Sequence, residues 1–133
     1  MITEDYCSYE VAKLLDKMSL EMPFDMYVNK DNVFMTNHYA CLTMEDYADR
    51  FHDEFIRTCT HQKAMKWLRE KYDLHIIAYP YKAEYKGNVS TKWCCIVYKT
   101  YNQLGCEKYT NETLNSYEDA VEAAIRYSLE NLI

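Results

Sequence analysis

The chain has 133 residues, 49% of them hydrophobic and 27% charged, with a net charge of −6 and only two glycines and two prolines. A chain of this length buries about two-thirds of its unfolded surface, and so little glycine and proline predicts a single domain over 1–133 without a linker. No apolar run approaches the roughly 20 residues of a membrane span, the acidic opening Met1–Tyr6 lacks signal-peptide regions, and the overall charge disfavours general duplex DNA, so a cytoplasmic protein away from membranes is expected.

The charge is unevenly spread. Residues 1–59 hold five Lys/Arg against twelve Asp/Glu, whereas 61–108 hold nine against four, giving an acidic first half and a mildly basic middle. Of the six cysteines, Cys7, Cys41, Cys59, Cys94, Cys95 and Cys106, none forms a Cys-x-x-Cys pair, and nothing marks secretion. Reduced thiols acting as small apolar side chains are expected. His38 and Cys41 have ligand spacing for zinc but no second pair, so no metal and no cofactor are expected.

Taken in order, Ser8 caps a first helix from Tyr9 to about Met18, with Val11, Leu14, Leu15 and Met18 as its apolar stripe. Phe24–Val28 and Val33–Ala40 read as strands around the turn cluster Asn29-Lys30-Asp31-Asn32, the length of a hairpin. Thr43 and Asp46 have capping-box spacing, and Tyr47, Phe51 and Phe55 follow at four-residue steps, predicting a helix over 44–57. The competing reading is an acidic loop.

Thr60 is a good helix cap, and Ala64, Met65, Leu68 and Tyr72 form one stripe of a helix over 61–72. Asp73 breaks the period, and the β-prone run Leu74–Tyr79 ends at, or is confined to a sheet edge by, Pro80. Lys86-Gly87-Asn88 is the strongest turn signal. It leads to Thr91–Thr100, which is apolar on both faces and so belongs in the middle of a sheet. Asn102–Gly105 turns the chain into a short outer strand, Cys106–Thr110. Ser116 and Asp119 repeat the capping-box spacing ahead of a last helix, Tyr117 to about Leu132, with Ala120, Val121, Ala124, Ile125, Leu129 and Leu132 as its apolar face.

The order predicts an α+β fold: a small antiparallel sheet, made of an N-terminal hairpin plus a three-stranded meander, packed by about four helices. From residue 61 onward the helix, three strands and helix follow the order of a double-stranded-RNA-binding domain. The lysines such a domain presents at the start of its last helix are replaced here by Glu118, Asp119 and Glu122, which would repel phosphate.

Three blocks, MITEDYCSYEVAKLL, THQKAMKWLRE and YEDAVEAAIRYSLENLI, together cover about a third of the chain. They resemble a group of small uncharacterised proteins encoded by phages and prophages of gut bacteria. Members more often carry Met at the position of Lys63 and Val-His at the positions of Lys71-Tyr72. The resemblance implies no activity. It implies a cytoplasmic accessory product of an infected bacterial host, where interference with host defence is a common task.

His61, Gln62 and Lys63 fall on the first turn of their helix, where free N–H groups and the dipole favour an anion, with Lys66 and Arg69 further along. Together with Trp67, Tyr79, Tyr81, Tyr85, Lys92 and Trp93 they suggest an aromatic and basic site for a nucleotide-derived small molecule. The ligand-binding set expected from sequence is His61, Gln62, Lys66, Arg69, Tyr81, Lys92 and Trp93. The plainer alternative makes Trp67 and Trp93 core residues and leaves the lysines solvated.

Catalysis is not expected: the chain lacks a Gly-rich phosphate loop, His-Glu-x-x-His and Gly-x-Ser-x-Gly, and Cys59 and His61 straddle a helix cap where they are poorly placed to meet. Two classes stay open. One is a module that sequesters a nucleotide-type signalling molecule. The other is an interaction module for a host defence protein, using an acidic, tyrosine-rich surface in which Asp46, Asp49, Asp53 and Glu54 mimic phosphates. Exposed tyrosines and a sheet edge predict a homodimer.

Overall fold

A computed structural model describes residues 5–18, 24–36, 55–100 and 106–133. The fold is α+β, and the chain divides into two compact units, Met1–His61 and Gln62–Ile133.

The first unit contains α1 (Tyr9–Met18), β1 (Met26–Asn29), β2 (Phe34–Thr36) and β3 (Phe55–Thr58). Ser8 opens α1 as expected, its hydroxyl accepting from Val11 N at 3.4 Å. Val11, Ala12 and Leu15 are the buried positions of the helix, which lies against β3 and β1. The hairpin turn is held by one side chain: Asn29 Oδ1 accepts from Asp31 N at 3.0 Å and from Val33 N at 2.9 Å. Asn32 takes a left-handed φ of 58°, a conformation asparagine tolerates better than most residues, and its own Oδ1 accepts from Tyr9 N at the start of α1.

β3 corrects the expected 44–57 helix at its end. Phe55, Ile56 and Arg57 are extended and pair antiparallel with β1, completing the order β2-β1-β3. The four-residue spacing of aromatics competes here with Phe55-Ile56-Arg57-Thr58, whose first and last residues are buried and whose partner strand offers an open ladder. Residues 44–54, including Asp46, Asp49, Asp53 and Glu54, lie outside the described residues, as do His38, Cys41 and the turn Asn102–Gly105. Beyond β3, Cys7 N donates to Cys59 O at 2.9 Å, the Thr58 hydroxyl donates to Cys7 O at 3.0 Å, and Tyr6 bridges Thr60.

The second unit carries α2 (His61–Tyr72, all but its first residue), β4 (Leu74–Tyr85), β5 (Asn88–Lys99), β6 (Cys106–Leu114) and α3 (Tyr117–Asn131). α2 begins where Thr60 predicts, and Ala64, Met65 and Leu68 are its buried stripe. It ends at Asp73, which adopts φ 55° and donates its N–H to Arg69 O at 3.2 Å. A single left-handed residue therefore converts helix into strand.

β4 runs straight through Pro80, matching the sheet-edge alternative and not the stop. The reason is its position at the sheet edge: the order is β4-β5-β6, so the proline's missing N–H costs no ladder bond on the outer side. β5 is the central strand, as its two apolar faces predict. Lys86 (φ 50°) and Gly87 (φ 79°) make the tight connection, with the two positive φ values of a type I′ hairpin turn.

Ser116 caps α3 by accepting from Asp119 N at 3.0 Å. α3 lies on the sheet, burying Ala120, Val121, Ala124, Ile125 and Leu129, with Leu74, Cys95 and Val97 buried on the strands. Three helices and two three-stranded antiparallel sheets are present among the described residues. No described helix is long and apolar enough to cross a membrane.

Candidate functional site

The β4–β5 ribbon sorts its side chains by strand alternation. Leu74, Cys95 and Val97 share the face under α3, and Trp93 joins them, meeting the Tyr117 ring edge-on at 5.7 Å. The opposite face carries His75, Ile77, Tyr79, Tyr81, Ala83 and Tyr85 from β4, in register with Tyr98, Ile96, Cys94, Lys92, Ser90 and Asn88 from β5. Much of it is open: Ile77 is 46% exposed, Tyr81 42% and Tyr85 73%. Tyr79, Cys94, Ile96 and Tyr98 are half-buried by their sheet neighbours.

No carboxylate occupies any of these outward positions, although the chain has 21 acidic residues. Glu84 alternates to the other face. Cations near the open face among the described residues include Lys92, whose Nζ donates to Asn115 Oδ1 at 2.8 Å, and Lys86, whose Nζ stands 5.4 Å from the Tyr85 ring centroid.

One end of the face is anchored by Asp73. Its Oδ2 accepts from Thr100 N at 2.9 Å, both carboxylate oxygens contact the Thr100 hydroxyl, and Oδ1 lies 2.7 Å from His75 Nε2. His75 in turn stacks on Tyr98, centroids 5.2 Å apart and planes 22° from parallel. The residue that ends α2 thus orients the first two rings of the open face.

The Cys95 thiol is a poor nucleophile by environment. Cys95 is fully buried, and burial first, then the neighbouring Cys94, pushes its thiol up to about 11. The Cys94 thiol beside Tyr79 holds that phenol above its ordinary value, by hydrogen bonding first, so Tyr79 stays a neutral ring. Cys7, Cys59 and Cys95 are buried and Cys94 is half-buried.

The seven residues expected from sequence divide among several surfaces. Tyr81 and Lys92 are brought together as direct register partners on the open face. Trp93, one residue on, points to the α3 side and is occupied by Tyr117. Gln62, Lys66 and Arg69 share one exposed face of α2 at helical spacing, with Lys66 Nζ 3.8 Å from Glu70 Oε1.

His61 belongs to the first unit, is only 7% exposed and donates its backbone N–H to Asp5 O at 2.9 Å, so that first-turn donor is already engaged. Trp67 packs edge-on against Tyr72 at 5.2 Å, and its indole N–H is buried without a hydrogen-bond partner among the described residues.

Sequence reasoning missed Ile77, Ile96 and Tyr98 as residues of the same open face as Tyr81. The signal was the two-residue alternation of both strands, legible only once Lys86-Gly87 fixes which residues stand opposite each other. No family model, no curated protein and no solved structure matches this chain.

Proposed function

We propose that the chain is a phage-encoded accessory protein that binds a nucleotide-type ligand on the open face of the β4–β5 ribbon and, in the cytoplasm of an infected bacterium, withholds that ligand from host defence. The observation that carries this reading is the Tyr81–Lys92 register pair, a ring and an amine side by side on a face whose outward β4 and β5 positions carry no carboxylate. A phenol stacks a base and an ammonium pairs a phosphate, so the pair supplies both halves of nucleotide recognition without any reactive group.

A thermal-shift series with cyclic nucleotides and nucleotide-sugar derivatives tests it. A ligand that binds only the folded chain raises the melting temperature by mass action. Tyr81→Ala and Lys92→Ala should each remove the rise. A melting temperature that no nucleotide moves rejects the proposal.

A second reading, interaction with a host defence protein or with a second copy of this chain, is favoured by edge strand β2. Val33 beside it is 53% exposed and Phe34 within it 41% exposed, an apolar edge that no further strand pairs among the described residues and that suits strand addition. Native mass spectrometry reads the dimer directly, and Phe34→Glu should return a dimer to monomer. A monomeric mass together with no stoichiometric partner from host lysate rejects this second reading.

A further inference from the structure

From the geometry of the open face we infer that its ligand is single-stranded nucleic acid, bound as a strand along β4, an inference that rests on the nucleotide-binding reading above. Tyr79 and Tyr81 are two residues apart on one strand face, about 6.8 Å at twice the strand rise, and Tyr85 continues the row past the small Ala83. That repeat is about twice the 3.4 Å spacing of bases along a helical strand. A strand stretched to it lays successive bases on successive rings, while one nucleotide uses only one of them.

The charge distribution selects the same partner. Of the charged residues from Leu74 to Lys99, Lys82, Glu84 and Lys99 alternate to the α3 side, which leaves Lys92 on the open face and Lys86 at its hairpin end, with no acid at the outward positions, on a chain whose net charge is −6. Lys92 and Lys86 stand beside Tyr81 and Tyr85, where phosphates of a strand stacked on those rings would run.

A duplex buries its base faces in its own stack and cannot use the rings. The first turn of α3, where Glu118 and Asp119 are exposed, adds no phosphate site for one. Stacking on a sheet face with flanking amines is sequence-tolerant and specific for unpaired strands.

Fluorescence anisotropy with 5′-labelled oligothymidylate and oligouridylate 12-mers, run against the same DNA strand in a duplex and against TMP and UMP as competitors, tests the inference. Both 12-mers should bind, the duplex at least tenfold more weakly, and the mononucleotides should compete poorly. Tyr81→Ala should weaken strand binding roughly tenfold, with Tyr81→Phe restoring it. Lys92→Gln should lower the salt slope by about 0.7.

A preference for one 12-mer assigns RNA or DNA as the source. If nucleotides shift the melting temperature but the 12-mers bind no tighter than TMP or UMP, the strand inference fails and the nucleotide site stands. If the duplex binds as well as the single strand, stacking on the rings is excluded. If neither strand nor nucleotide binds, both proposals fall.

Discussion

Asp73 holds Thr100 through both carboxylate oxygens, accepting the backbone N–H at 2.9 Å and meeting the hydroxyl at 2.6 and 2.7 Å. The two residues lie 27 positions apart, so this contact ties the end of α2 to the end of β5 and closes the ribbon at its base. Asp73 also stands at φ 55°, where most side chains are strained. Asp73→Ala should therefore lose charge-assisted hydrogen bonds and incur the left-handed penalty together, roughly 2–3 kcal/mol. Asp73→Asn keeps the conformational tolerance and one acceptor, and should cost about half as much. Urea denaturation of the two variants reads the difference, and equal losses would contradict a backbone share.

At the other end of the ribbon, Lys86 and Gly87 both hold positive φ. Gly87→Ala meets no steric neighbour within 4 Å, so its cost is backbone conformation alone, about 1 kcal/mol. Lys86→Asn installs the favoured Asn-Gly pair and should stabilise by a few tenths of a kcal/mol. It also removes the amine beside Tyr85, so strand binding should weaken as the melting temperature rises, a separation that anisotropy and calorimetry resolve on one sample.

Alkaline stability should report Cys95. Its folded-state thiol titrates at about 11 against an ordinary 9, so above pH 9 the unfolded chain loses a proton that the folded chain keeps. Stability is fully present below pH 9 and falls as pH rises through 11, by at most about 3 kcal/mol at 1.36 kcal/mol per tenfold change in proton affinity. Denaturation between pH 8 and 11 should show a shallower decline for Cys95→Ala than for the native chain. In the folded protein iodoacetamide should label half-buried Cys94 ahead of Cys95, a peptide-mass measurement.

The Asp16–Arg57 ion pair, at 2.9 Å, looks stronger than it should prove. Both side chains are more than 40% exposed, and exposed pairs contribute about 0–1 kcal/mol. The guanidinium also covers the Phe24 ring at 4.7 Å from its centroid. Arg57→Ala should cost more than Asp16→Ala, because only the first removes the ring contact, and 0.5 M salt should erase most of the Asp16 effect.

Much of the architecture was legible because local signals agreed with tertiary ones. Ser8, Ser116 and Lys86-Gly87 each supply a cap or turn that works whatever packs around it, and the two-sided apolarity of Trp93–Tyr98 marks a central strand. β3 was not legible: Phe55 fits the helical spacing of Tyr47 and Phe51 as well as it fits a strand, and only pairing with β1 decides. The candidate site was half legible. Tyr81 and Lys92 were identified as types, but eleven positions separate them, and which face each occupies follows from register, the same fact that turned Trp93 away from them.

Pro80 has a final consequence for solubility. β4 is a twelve-residue border strand, long and rich in tyrosine and isoleucine, and such a border invites another chain to continue the ladder. An imino acid near its midpoint supplies no donor there, so an incoming strand finds its hydrogen-bond track broken into two short lengths. The residue that keeps this strand at the border of its sheet thereby also disfavours fibrous growth.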